Sequence, residues 1–356
     1  MREVVAEVQA WGDRGEQVAI ATVVDVRRSA PRPPGAKMAV ATSGEIVGMV
    51  SGGCVEGAVV DVCEEVLRGG APRLLHFGIA DEEAWDVGLP CGGEIDVWVQ
   101  RFEQRRFAEL ARAGGRGALV TVIEGPSLGA ALLVDADGAV TGSLGDAELD
   151  AAAVGIADEV MWAERSERRT VGEVTLFADA VFPPPRIVIF GAVDIAAELC
   201  TLARDCGWRP YVVDPRARFA TPERFPDALE VLALWPEQAL ARLGGIDRAT
   251  YVAVLTHDPK VDDAALGIAL RSEAAYVGAM GSRRAQEQRR ERLRALGIGD
   301  EELVRLHAPI GLDLGALTPE ETALSIMAEL VATRNGRDGG RLAHARGRIH
   351  EVGASS

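Results

Sequence analysis

Two thiols flanked by paired glycines are the residues in this sequence best placed to do chemistry. Cys54 lies in Ser51-Gly52-Gly53-Cys54-Val55-Glu56-Gly57, and Cys91 in Gly88-Leu89-Pro90-Cys91-Gly92-Gly93-Glu94. Before the first, Met38, Val40, Ile46 and Val50 read as two short strands about a Ser43-Gly44 turn. After it, Val55, Val59, Val62 and Val66 recur at helical spacing until Gly69-Gly70. Cys54 is thus expected at or near a helix N-terminus, where unpaired N–H groups and the helix dipole favour an anion such as a nucleophilic or metal-binding thiolate. Paired glycines let a ligand approach the backbone closely. The alternative is a buried structural cysteine, because free Cys often behaves as a small hydrophobe. Cys91 precedes the alternating strand Ile95, Val97, Val99. Two such thiols in one small domain suggest a shared site, with Cys54 and Cys91 as sulfur or metal ligands among Gly52, Gly53, Gly92 and Gly93.

The other cysteines, Cys63, Cys200 and Cys206, fall in helical patterns and read as core residues. No CxxC pair occurs, which disfavours zinc and a disulfide scaffold and fits a reducing compartment. The 356 residues allow two domains with sizeable cores. A formal charge of −16 disfavours nucleic acid or an anionic membrane as partner, because both would repel the protein. No apolar run reaches transmembrane length, and the start Met1-Arg2-Glu3-Val4 does not read as a signal peptide, so a cytoplasmic location is expected.

The elements that must position the thiols read as an α+β domain over residues 1–181. Val4 to Trp11 suggests a helix and Val18 to Val26 a buried strand. The proline-rich loop Arg27 to Gly35 carries Arg32 on a stiff connection, which reads as an anion clamp or as a solvated linker. Leu74 to Phe77 and Ile95 to Val99 read as strands about the acidic loop Asp81 to Asp86, Phe107 to Ala111 as a helix, and 118–123, 130–134 and 139–141 as a meander. Prolines in 182–185 then read as a linker.

From 186 to 334 the grammar becomes strand, helix, strand, helix, which predicts a Rossmann-like doubly wound parallel sheet, followed by a mobile tail, 335–356. Arg186 to Phe190 and Tyr211 to Val213 are strands around the helix Ile195 to Cys206. Gly191 ends the first strand, and Asp214 follows it by 23 residues, near the spacing of roughly 20 for a ribose-binding carboxylate. The glycine fingerprint is damaged, because Val193 stands where a pyrophosphate should meet backbone, and Asp194, a good N-cap, puts negative charge beside it. NAD(P) binding is therefore disfavoured. At later strand ends lie His257, read as a loop histidine or as an acid or base, and Gly278 to Arg284, in which Gly278, Gly281, Ser282 and Arg283 could cradle a phosphate. Interdomain clefts commonly hold ligands, so these loops and the thiols are expected to face one cleft. Thr318-Pro319-Glu320-Glu321 is a helix start with a capping box.

Taken in order, Ser29-Ala30-Pro31-Arg32, Ser51 to Gly57, Cys91-Gly92-Gly93, Asp214-Pro215-Arg216, Thr256 to Lys260, Gly278 to Arg284 and Pro309-Ile310-Gly311-Leu312-Asp313 make the chain resemble the XdhC/CoxI family of accessory factors for molybdenum hydroxylases. The resemblance implies a chaperone that binds the molybdenum cofactor, bare or in nucleotide form, assists its sulfuration with a cysteine desulfurase as sulfur donor, and hands it to an apo-hydroxylase. It brings Arg32, His257, Asp214 and Gly191 into the cofactor-binding set beside the glycines and thiols. Such a centre is soft and anionic and its pterin carries phosphate, which suits thiolates and arginine. The chain departs from the family pattern at Arg28, where Gly is favoured, and at Val193-Asp194, where the pattern looks like Gly-His. An NAD(P)-dependent oxidoreductase using His257, and a docking factor that binds no cofactor, are the competing readings. A homodimer is expected on base rates alone.

Overall fold

A computed structural model describes residues 1–28, 32–78 and 93–344. The chain divides into two compact units at Pro183 and Pro184.

The first unit holds two antiparallel five-stranded sheets. The first sheet is built from β1 (Val18–Arg27), β2 (Lys37–Ala41), β3 (Ile46–Gly48), β4 (Arg73–Phe77) and β5 (Glu94–Arg101), in the order β3-β2-β1-β5-β4. On one face Ala19, Ala21, Val23, Val97 and Val99 pack against Val59, Cys63 and Val66 of α2 (Glu56–Leu67). Alternation along β1 sends Ile20 to the other side, toward α1 (Val5–Asp13) and α3 (Arg105–Arg112). With both faces covered, β1 is buried over its first seven residues, which is why it reads as a continuous apolar run.

The second sheet contains the expected meander as β6 (Gly117–Glu124), β7 (Ala131–Asp135) and β8 (Val140–Ser143). It is completed by β9 (Glu167–Val171) and β10 (Val174–Val181), in the order β8-β7-β6-β10-β9. One face is covered by α4 (Ala147–Trp162), whose first turn is capped by the Asp146 carboxylate accepting from the Leu149 amide at 2.9 Å. Val24 and Trp98 of the first sheet meet Ile123 and Phe177 of the second.

The second unit is doubly wound, as its alternating grammar predicts. Its strands are β11 (Arg186–Phe190), β12 (Arg209–Val213), β13 (Glu230–Leu232), β14 (Thr250–Val254), β15 (Tyr276–Ala279) and β16 (Leu306–His307). They form one sheet in the order β13-β12-β11-β14-β15-β16, and every pairing is parallel. Ile187, Ile189, Tyr251 and Tyr276 face α5 (Asp194–Asp205) and α10 (Pro319–Arg334). Val188, Phe190, Val252 and Val254 face α6 (Pro236–Arg242), α7 (Pro259–Arg271), α8 (Arg283–Ala295) and α9 (Asp300–Val304). Such strands, apolar on both faces, are what a sheet covered by helices on both sides requires. Thr318 and Glu321 form the expected capping box at the start of α10. Of the 335–356 tail, the described part ends in a 3₁₀ turn at Leu342–His344. Among the described residues no helix is long and apolar enough to cross a membrane.

Two local expectations are corrected. Cys206 is exposed, not core; it is the C-cap residue of α5, so the periodicity that buries Cys200 stops before it. Asp194 is the first residue of α5 and not its cap; Val193 holds the cap position, without a side-chain cap bond.

Candidate functional site

The thiol turn is anchored by Val50 and Val55, both fully buried in the core beneath α2. Between them Gly52 and Gly53 take φ of +86° and +112°, left-handed values that favour glycine. The backbone N–H groups of this turn converge on one side chain. One oxygen of Glu56 accepts from the amides of Val50, Ser51 and Gly52 at 3.2, 2.8 and 3.1 Å. The other accepts from the Ser51 hydroxyl at 2.6 Å and from the amides of Gly53 and Val55 at 2.9 and 3.2 Å. Ser51 Oγ in turn accepts from the Cys54 amide at 3.0 Å. Burial pushes the Glu56 carboxyl up, but the Ser51 hydroxyl and the amides outweigh it and hold the group down at about 2. The anion that these donors favour is therefore the chain's own carboxylate. The expectation that they stand free to stabilise a Cys54 thiolate is corrected accordingly.

Cys54 itself is half-buried, packed at the rim of the α2 core with Val26 and Phe77. At the far end of β5, Arg101 donates to Leu67 O at the end of α2 at 3.0 Å. The amino end of α2 thus points back to the sheet end where Arg27 pairs with Glu94 and Phe77 with Ile95. That end carries a charged cluster that sequence reasoning missed. Asp96, 5% exposed, lies 2.6 Å from His76 Nδ1 and accepts from Arg168 at 2.9 Å and Arg27 at 3.2 Å. Its only sequence signal was an acid alternating with the apolar residues of β5. Arg28 has φ of +63°, a left-handed conformation that glycine takes without strain and that side chains rarely adopt.

Of the other first-unit candidates, Arg32 is ion-paired with Glu3, and Gly93 is buried. Cys91, Gly92, the Ser29-Ala30-Pro31 stretch and the acidic loop Asp81 to Asp86 lie outside the described residues. Among the described residues no three His, Cys, Asp or Glu side chains gather as a metal cage.

The second-unit candidates fall together at the carboxyl edge of the parallel sheet, where ligands bind in such folds. Several of them have structural work there. Gly191, with φ of +121°, lets the chain leaving β11 pass so close to the chain leaving β14 that a Cβ would lie 2.9 Å from the Thr256 nitrogen. Asp214 is 2% exposed. Its carboxylate accepts from the Ala192 amide at 2.9 Å, the Arg216 amide at 2.9 Å, and Arg216 Nε and Nη2 at 2.9 and 2.7 Å. Burial raises its pKa, but the Arg216 and Ala192 hydrogen bonds prevail and hold it below the usual range. These four donors match the roughly four acceptor sites of a carboxylate. Asp194 pairs with Arg224 at 3.1 Å.

Ser282 caps α8 by accepting from the Ala285 amide at 3.3 Å, and Arg283 is the first helical residue behind it. Gly281 has φ of +133°. A Cβ on Gly278 would lie 2.6 Å from both Ile310 and Tyr276 side chains, so this glycine makes room for packing. His257 is exposed. Sequence reasoning also missed the buried pair Arg289 and Asp262, 2.7 Å apart, in which Arg289 also donates to Met280 O. The same holds for Glu329, which accepts from Tyr276 at 2.6 Å and from the Gly311 amide at 2.6 Å, and lies 3.0 Å from His307 Nδ1.

A family model of the XdhC Rossmann domain matches residues 187–330, and one of the XdhC and CoxI family matches 11–78 and 110–172. The chain is 29% identical over 336 residues to a Bacillus subtilis (strain 168) protein named as a probable xanthine dehydrogenase subunit, covering 90% of this chain and 94% of that one. It is 27% identical over 323 residues to the molybdenum cofactor insertion chaperone PaoD of Escherichia coli (strain K12), covering 90% of this chain and 84% of that one. A crystal structure described as a xanthine dehydrogenase from Bacillus halodurans superposes with a TM-score of 0.61 at 24% identity, covering 96% and 97% of the two chains. That likeness shows a shared fold.

Proposed function

Because the chain belongs to the XdhC and CoxI family, we propose that it is an accessory chaperone that binds the molybdenum cofactor, assists its sulfuration and delivers it to a xanthine dehydrogenase-type hydroxylase. The observation that carries this reading is a half-buried thiol, Cys54, on a preformed turn within the stretch that the family model matches. Similarity to a relative named as an insertion chaperone supports it. The cofactor is cargo, and its molybdenum arrives already held by a dithiolene, so it needs few ligands from the protein. Cys54 supplies a soft sulfur as ligand or sulfur acceptor, with Cys91 assisting. A cysteine desulfurase is the proposed sulfur donor, and a homodimer the proposed assembly. In the second unit, the loop from Gly278 to Arg283 is the proposed contact for the cofactor's phosphate, through the Arg283 guanidinium.

The test is bound molybdopterin, measured after purification with cofactor. Cys54→Ala should retain markedly less than the unaltered protein; equal retention would remove Cys54 from the site.

A further inference from the structure

Glu56 is the most heavily hydrogen-bonded side chain of the thiol turn, and its role is unassigned. Both its oxygens are filled, three donors to each, and five of the six donors are the amides of Val50, Ser51, Gly52, Gly53 and Val55. The amides on either side of Cys54, those of Gly53 and Val55, both point at the same Glu56 oxygen. The carboxylate therefore lies alongside the Cys54 backbone and fixes it from both directions. Successive N–H groups around left-handed glycines make an anion-binding concavity. Here an internal side chain fills it.

We propose that Glu56 is the positioning residue of this site: its carboxylate is a built-in anion that fills the N–H cradle and thereby holds Cys54 in place. This rests on the reading of Cys54 as the sulfur-bearing residue. It follows that the cradle does not bind the cofactor's phosphate, which must be met elsewhere. Glu56 is not a general base for the thiol, because both its oxygens are already filled by donors and no acceptor position is left for a proton. Glutamine cannot substitute, since its NH₂ would face donors where the carboxylate presents an acceptor.

The experiment is alkylation of Cys54 by the neutral reagent iodoacetamide in cofactor-free protein, followed at that residue by peptide mass mapping. In Glu56→Ala the turn loosens and alkylation speeds several-fold. Added formate, small enough to refill the cradle, returns the rate toward the original, and chloride at equal ionic strength does not. A purely packing role would not respond to formate. An unchanged rate in Glu56→Ala, or acceleration that formate fails to reverse, overturns the proposal. Should circular dichroism show Glu56→Ala unfolded, Glu56→Gln replaces it. The glutamine variant should also alkylate faster, and the original rate in it overturns the proposal. No cofactor enters these measurements, so a failure here and a failure of the Cys54→Ala retention test are separable.

Discussion

Lys37 Nζ and Asp179 Oδ2 lie 2.6 Å apart between the two sheets of the first unit, with side chains only 3% and 8% exposed. Lys37 comes from β2 and Asp179 from β10, and Lys37 also donates to Thr22 at 3.1 Å. The pair fixes how one sheet sits on the other, because neither charge has water to turn to. Removing one partner leaves the other charged and unpaired, at a cost of about 3–5 kcal/mol. Lys37→Met should therefore lower the urea midpoint strongly, while Lys37→Met with Asp179→Leu should recover most of the loss. If the single and double variants unfold at the same midpoint, the pair does not hold the sheets.

Acid should expose the contribution of Glu56. Its carboxyl is held at about 2 in the folded protein against an ordinary value of 4.5, so the unfolded chain takes up the proton first as pH falls. The stability it contributes is complete above about 4.5 and lost on descending toward 2. Asp214 and Glu329 are also held below their ordinary values, so the protein as a whole loses stability in acid. Glu56→Gln removes one of these groups, and its urea midpoint should fall less steeply as pH drops from 4.5 toward 2, the window set by those two values. Parallel slopes would show that the hydrogen bonds do not distinguish the ionised form.

The parallel sheet of the second unit invites comparison with dinucleotide enzymes, and Asp214 argues against that use. A ribose hydroxyl needs a carboxylate lone pair, whereas Asp214 already accepts four hydrogen bonds from Ala192 and Arg216. Val193 and Asp194 occupy the turn where a pyrophosphate would lie. Calorimetric titration with NAD and with NADP should give no saturable heat. Saturable binding of either would restore the oxidoreductase reading.

How much of this could be read from sequence depended on whether a residue's role is local. Strand-helix alternation after Pro185 is a local pattern, and so is the capping box at Thr318 and Glu321, and both are present as expected. Paired Gly52 and Gly53 mark the turn in the sequence, but their left-handed φ values are visible only in the fold. The anion occupying that turn was hidden, because a Ser51 to Glu56 spacing acquires meaning only once the chain folds back on itself. Gly278 looked like a ligand glycine, yet the residues filling the space beside it are Tyr276 and Ile310, the latter 32 positions away. Asp96 sits on the face of β5 that also carries Trp98, which packs toward a second sheet that no single-strand pattern reveals. Cys206 was misplaced by extending a helical period one residue past the helix.

The four described cysteines should separate sharply by reactivity. Burial pushes both Cys63 and Cys200 up to about 12, and each is fully shielded from solvent. At pH 8 they remain neutral thiols that no reagent can reach, so they should stay unmodified while the protein is folded. Cys206 is exposed at the end of α5, and Cys54 is half-buried on its turn. A brief maleimide pulse on native protein, read by peptide mass mapping, should label Cys206 first and Cys54 more slowly. Cys63 and Cys200 should appear only after addition of denaturant. Modification of Cys63 under native conditions would mean that α2 opens from the first sheet, and that the turn it supports is less fixed than its hydrogen bonds require.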